Sequence, residues 1–103
     1  MDATDGYGQT ALMRAAHRGR LEAVEYLLGQ GAALDRSAKF GLSALTLAVI
    51  QRHPRVARTL VRAGADTSLR GTGAPGFADK TAADLAEEAG DRRLAEFIRS
   101  AGD

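Results

Sequence analysis

Cysteine is absent from all 103 residues, which excludes a disulfide framework and any thiolate metal site. A reducing compartment is therefore permitted, and a cytoplasmic location is the expectation. No apolar run is long enough for a membrane span or for the core of a secretory signal. Charge of one sign is missing too. Fourteen Lys and Arg oppose thirteen Asp and Glu, a net charge of +1, so no overall field draws the chain to nucleic acid or to an anionic membrane.

What is present is apolar character cut into short pieces. With 45% apolar residues the chain has enough for one small domain, although burial at this length is only moderate. The stretch "GQTALMRAAHRGRLEAVEYLLGQGAALD", from Gly8 to Asp35, holds two apolar segments joined by "HRGR". Helices under about 12 residues are marginal in water. These two must bury their apolar sides against each other and against a neighbour.

The neighbour is a second copy. "GLSALTLAVIQRHPRVARTLVRAGADTS" runs from Gly41 to Ser68, and 33 residues separate Gly8 from Gly41. At that shift Ala11 matches Ala44, Leu12 matches Leu45, Ala15 matches Ala48, Leu27 matches Leu60, and Gly31 matches Gly64. A third copy, "DKTAADLAEEAGDRRLAEFIRSAGD", follows with Thr81 placed 38 residues after Ser43, five more than the period. The chain thus reads as one domain of three repeats, approximately 5–37, 38–70 and 71–103, with five residues inserted before the third helix pair.

Each copy predicts two antiparallel helices. Thr10, Ser43 and Thr81 stand where a hydroxyl can cap the first helix. First helices are expected over Ala11–Arg18, Ala44–Arg52 and Ala82–Ala89, and second helices over Leu21–Gly29, Pro54–Arg62 and Arg92–Ser100. Gly19, His53-Pro54 and Gly90 separate them, and Gly31, Gly64 and Gly102 are placed to end them.

The pattern G-x-T-A-L-x-x-A-A-x-x-G-x-L-E-A-V-x-x-L-L-x-x-G-A at this period resembles the ankyrin repeat over nearly the whole chain. The resemblance implies an all-α solenoid of stacked helix pairs joined by finger-like turns. It also implies a protein-interaction module that is not an enzyme and needs no cofactor. The family's Thr-Pro-Leu-His tetrapeptide is here "TALM", "SALT" and "TAAD", so its histidine contact to neighbouring backbone is lost and looser loops are expected.

The two ends of the stack read differently. Arg99 stands where Leu28 and Val61 stand earlier, and Ala83 replaces a leucine, as expected of a terminal repeat with no neighbour to cover it. At the other end no polar cap is evident. Leu12, Val24 and Leu28 are expected to form an open stacking face, covered by further repeats before Met1 or by another chain.

Other constellations point less far. Arg55, Arg58 and Arg62 recur at helical spacing, as a phosphate-binding stripe would. At the repeat register, however, Arg55 and Arg58 take the places of Glu22 and Glu25, which predicts inter-repeat ion pairs with those carboxylates instead. His17, His53 and Glu87-Glu88 offer acid–base groups without a constellation that positions them on a substrate, and two histidines without cysteine give no zinc spacing. "RGTGAPG" lacks the lysine of a phosphate-binding loop and no strand precedes it.

The resemblance places recognition on the finger tips and on the exposed side of the first helices. In the first copy these are Tyr7, Gln9, Arg14, His17 and Arg18; in the second they are Lys39, Phe40, Leu42, Thr46, Ile50 and Gln51. Tyr7 and Phe40 are the strongest candidates, because aromatic residues bring large contact area to an interface. Phe77, in the enlarged finger between Arg70 and Asp79, is expected to complete the patch. The partner is a protein, not nucleic acid or membrane. The alternative is a structural segment that caps a longer array and meets no foreign partner.

Overall fold

The computed structural model describes residues 10–35, 42–71 and 79–102. Among these residues six helices follow in chain order: α1 Ala11–Arg18, α2 Leu21–Gly29, α3 Ala44–Ile50, α4 Pro54–Arg62, α5 Ala82–Glu88 and α6 Arg92–Gly102. The odd-numbered helices form one layer, with α1 on α3 and α3 on α5, and the even-numbered helices form the other, with α2 on α4 and α4 on α6. Each repeat therefore contacts its neighbour through both layers, as stacked helix pairs must if none can fold alone.

Hydroxyl caps start the inner helices. Thr10 Oγ1 accepts from Met13 N–H at 3.2 Å. Ser43 and Thr46 form a reciprocal capping box, with Ser43 N–H donating to Thr46 Oγ1 at 2.7 Å and Thr46 N–H donating to Ser43 Oγ at 3.4 Å. Thr81 and Asp84 repeat it at 3.1 and 3.2 Å. The fourth residues of "SALT" and "TAAD" thus tie the helix start locally where the family's histidine is missing.

The three inner helices end alike. In each, a residue in the left-handed region reverses the chain, and the next N–H bonds back to the last turn: Arg20 to Ala15 O, His53 to Ala48 O, and Asp91 to Ala86 O. The left-handed residues are Gly19, Arg52 and Gly90, with φ of 71°, 61° and 87°. This closure stops α3 at Ile50 rather than Arg52, and α5 at Glu88 rather than Ala89. Gly31 and Gly64 close α2 and α4 with positive φ, and the following N–H groups of Ala32 and Ala65 bond to Leu27 O and Leu60 O. α6 runs past Ser100, and Gly102 is its last residue.

The core runs through all three repeats. Leu12, Val24, Leu45, Leu60 and Ile98 are essentially fully buried, and Ala16, Ala48, Ala57 and Ala95 between them let the helices approach closely. Burying each large side chain contributes about 1.5–3 kcal/mol. The expectation of an open face made of Leu12, Val24 and Leu28 does not hold. Leu12 and Val24 are turned into the core, and Leu28 is half-buried.

The side of the stack away from the second repeat is instead a shallow groove of about 240 Å³, lined by Ala11, Ala15, Ala23 and Leu27 and rimmed by Arg14, Arg18 and Arg20. Arg14 occupies the register of Leu47 and Leu85, which are buried. A charged residue thus stands at a position that the second and third repeats fill with leucine. At the opposite end Arg99 Nη2 reaches Glu87 Oε2 at 2.7 Å and Asp84 Oδ1 at 3.4 Å.

Candidate functional site

The exposed side of the inner layer is built by the helical period. In α1, Leu12, Met13, Ala15 and Ala16 are buried, which leaves Arg14, His17 and Arg18 in solvent. In α3, Gln51 beyond the helix end is exposed and Ile50 is half-buried, as is Leu42 ahead of the cap. Thr46 is a correction. It is 1% exposed, and its hydroxyl is used by Ser43, donating to Ser43 O at 2.9 Å, so it offers no surface to a partner. Tyr7, Gln9, Lys39, Phe40 and Phe77 lie outside the described residues.

The bases of the loops are tied down. Asp66 N–H donates to Asp35 Oδ1 at 2.7 Å, linking the loop after the first repeat to the loop after the second. Asp66 Oδ1 accepts from Ser68 Oγ at 2.6 Å and Ser68 N–H at 2.9 Å, and these bonds hold its carboxyl below the usual carboxylate value. The enlarged loop is pinned at its stem: Gly71 N–H donates to Lys80 O at 3.0 Å, Asp79 N–H donates to Gly71 O at 2.9 Å, and Arg70 Nη1 donates to Asp79 O at 2.6 Å.

The candidate acid–base groups are occupied structurally. His53 Nε2 lies 3.2 Å from His17 O, and since a carbonyl only accepts, the ring carries its proton on Nε2. His53 thus links the first two repeats. Glu87 binds Arg99, and Glu88 Oε1 lies 2.8 Å from Lys80 Nζ. The Arg99 guanidinium is raised above its ordinary value chiefly by its bond to Glu87, and Asp84 is lowered chiefly by the Thr81 N–H and further by Arg99.

Two arrangements were not legible in the sequence. Arg55 and Arg58 do not pair with Glu22 or Glu25, and no ion pair joins α2 to α4 among the described residues; the guanidinium carbons of Arg58 and Arg62 instead stand 5.9 and 5.7 Å from the centre of the Phe97 ring in the next repeat. Such contacts contribute about 0.5–1 kcal/mol at exposed sites, comparable to the surface ion pair they replace. Arg58 Nε is buried and has no hydrogen-bond partner among the described residues. The second arrangement is Tyr26, at the Phe97 register one end of the stack away, which is 66% exposed.

Comparison with known proteins bears on the same residues. A family model described as "Ankyrin repeats (3 copies)" matches residues 1–70. The chain is 39% identical over 62 residues to the DNA replication inhibitor plutonium of Drosophila melanogaster, a match covering 60% of this chain and 36% of that protein. It is 40% identical over 63 residues to ankyrin repeat and KH domain-containing protein mask-1 of Caenorhabditis elegans, covering 60% of this chain and 2% of that one. With ankyrin repeat and SAM domain-containing protein 6 of Mus musculus it shares 44% identity over 55 residues, or 52% of this chain and 6% of the relative. The chain thus spans a minor part of each of these relatives.

Proposed function

Because the chain belongs to the ankyrin-repeat family, whose repeats are generally protein-interaction modules, we propose that it binds a protein partner through its finger tips and the exposed side of α1 and α3. The observation that carries this reading is the state of that side. The side chains of His17, Arg18 and Gln51 are exposed and engage in no hydrogen bond or ion pair among the described residues. They need no rearrangement to meet a partner. Leu42 and Ile50 add half-buried apolar area; Tyr7, Gln9, Lys39, Phe40 and Phe77 are the further contacts of this reading.

The test is capture of a partner from extract by the wild-type chain and by a Tyr7→Ala, Phe40→Ala variant of equal helix content. Loss of the retained protein supports the reading, and equal retention opposes it. A second reading, a segment that closes an array, is favoured by one observation: Arg99, Glu87 and Asp84 form an ionic cover on the outer face of the third repeat. Under that reading the same variant changes stability and nothing else.

A further inference from the structure

The turns between the two helices of each repeat lie along one edge of the stack. The turns and the helix starts that follow them carry Arg20, Arg52, Arg55, Arg92 and Arg93, all exposed and none in an ion pair among the described residues. The carboxylates that flank these turns in the chain are Glu22, Glu87, Glu88 and Asp91; Glu87 is bound by Arg99 and Glu88 by Lys80, and Asp91 Oδ1 accepts from Leu94 N–H at 3.1 Å to start α6. A chain with a net charge of +1 therefore concentrates positive charge on one edge.

Arg52 supplies a separate observation. It holds φ 61° at the position that Gly19 and Gly90 fill in the other repeats. A side chain there works against the backbone, whereas glycine would not. Its side chain borders two grooves on this edge. One, of about 300 Å³ between the second and third turns, is floored by Val49, Ala86, Ala89 and Leu94. The other, of about 400 Å³ between the first and second turns, has Leu21, Pro54 and Val56 in its wall together with Arg55.

We propose that this edge is a second docking surface, separate from the fingers, that takes an extended acidic segment of a protein partner. Carboxylates would meet the arginines, and small apolar side chains would enter the grooves between turns. Adjacent helices in such a stack lie about 8–10 Å apart, close to the roughly 10 Å spanned by three extended residues. An acidic residue at every third position, with small apolar residues between, therefore matches the spacing of the turns. The apolar groove floors favour a peptide over a sugar–phosphate chain, whose backbone offers nothing to fill them.

The probe is a fluorescein-labelled peptide of Glu-Val-Ala repeated about four times, long enough to cross all three turns, followed by anisotropy at low ionic strength. An isomer with its glutamates consecutive is the control for spacing. Binding to the wild-type chain is expected to weaken by about tenfold in Arg52→Gly, the loss of one charge-assisted contact, while the melting temperature is unchanged or higher. The isomer is expected to bind more weakly. Should Arg52→Gly lose structure, Arg20→Gln combined with Arg93→Gln gives the same comparison on exposed side chains. No binding by the wild type, unchanged binding in the variants, or equal binding of the isomer overturns the proposal. So does tighter, Arg52-dependent binding of oligodeoxythymidine or of phosphatidylserine vesicles.

Discussion

The His53 ring occupies the space that a side chain on Gly19 would need: a Cβ built there would stand 2.5 Å from Nδ1 and 2.6 Å from Cε1. The first inner turn is glycine for two reasons at once, its φ of 71° and the imidazole that crosses from the second repeat to His17 O. Gly90 has only the first reason, since nothing lies within 4 Å of its Cβ position. Gly19→Ala is therefore expected to cost about 2–3 kcal/mol and Gly90→Ala about 1 kcal/mol. Urea denaturation midpoints compare them, and equal losses would show that the ring moves aside freely.

Arg52 gives the opposite sign. A left-handed non-glycine residue costs about 1–2 kcal/mol, and glycine adds about 0.5–1 kcal/mol of unfolded-state entropy, so relief of strain wins. Arg52→Gly is expected to raise stability by about 0.5–1 kcal/mol. A lower melting temperature would mean that the Arg52 side chain contributes more to the fold than its exposure suggests.

The central repeat should be the most sensitive to lost volume. Leu60 is fully buried between both neighbours, and Leu60→Ala is expected to cost about 2–5 kcal/mol, a large share of the roughly 5–10 kcal/mol that such a domain has. Arg99→Ala removes two exposed ion pairs and should cost under about 1 kcal/mol. Equal shifts in denaturation midpoint would contradict the repeat register.

Asp84 makes one contribution to stability pH-dependent. Its carboxyl is held below the ordinary value of 3.8, mainly by the Thr81 N–H, so the folded state binds the proton less readily than the unfolded chain. That contribution is complete above pH 3.8 and is lost as pH falls through the lowered value. Asp84→Asn should flatten the fall in melting temperature on acidification below that point while lowering stability at neutral pH. An unchanged acid slope would remove Asp84 from the account.

The architecture was readable because a period repeated three times leaves little choice: hydroxyl caps, helix-closing glycines and buried leucines recur at the same offsets. What escaped was orientation within short helices. Leu12 and Val24 were assigned to the open face, yet comparing Arg14 with Leu47 and Leu85 shows which positions look outward. Arg58 and Arg62 escaped for a different reason. Charge matching points Arg58 at the glutamates of the first repeat and says nothing of Arg62, while a flat ring in the next repeat is within reach of both guanidiniums. For the candidate site, the exposed positions of α1 follow from the helical period, whereas Thr46 was lost to a capping box that "SALT" itself spells.

The central claim is that a protein partner lies against the inner layer and not the outer one. A photo-cross-linking amino acid placed at His17, on the exposed side of α1, and separately at Tyr26, on the outer helix α2, compares the two surfaces directly in extract. Both residues are exposed, so neither substitution disturbs the core. The account predicts a discrete cross-linked protein from His17 that is absent from Tyr26. A cross-link from Tyr26 with none from His17 would contradict it.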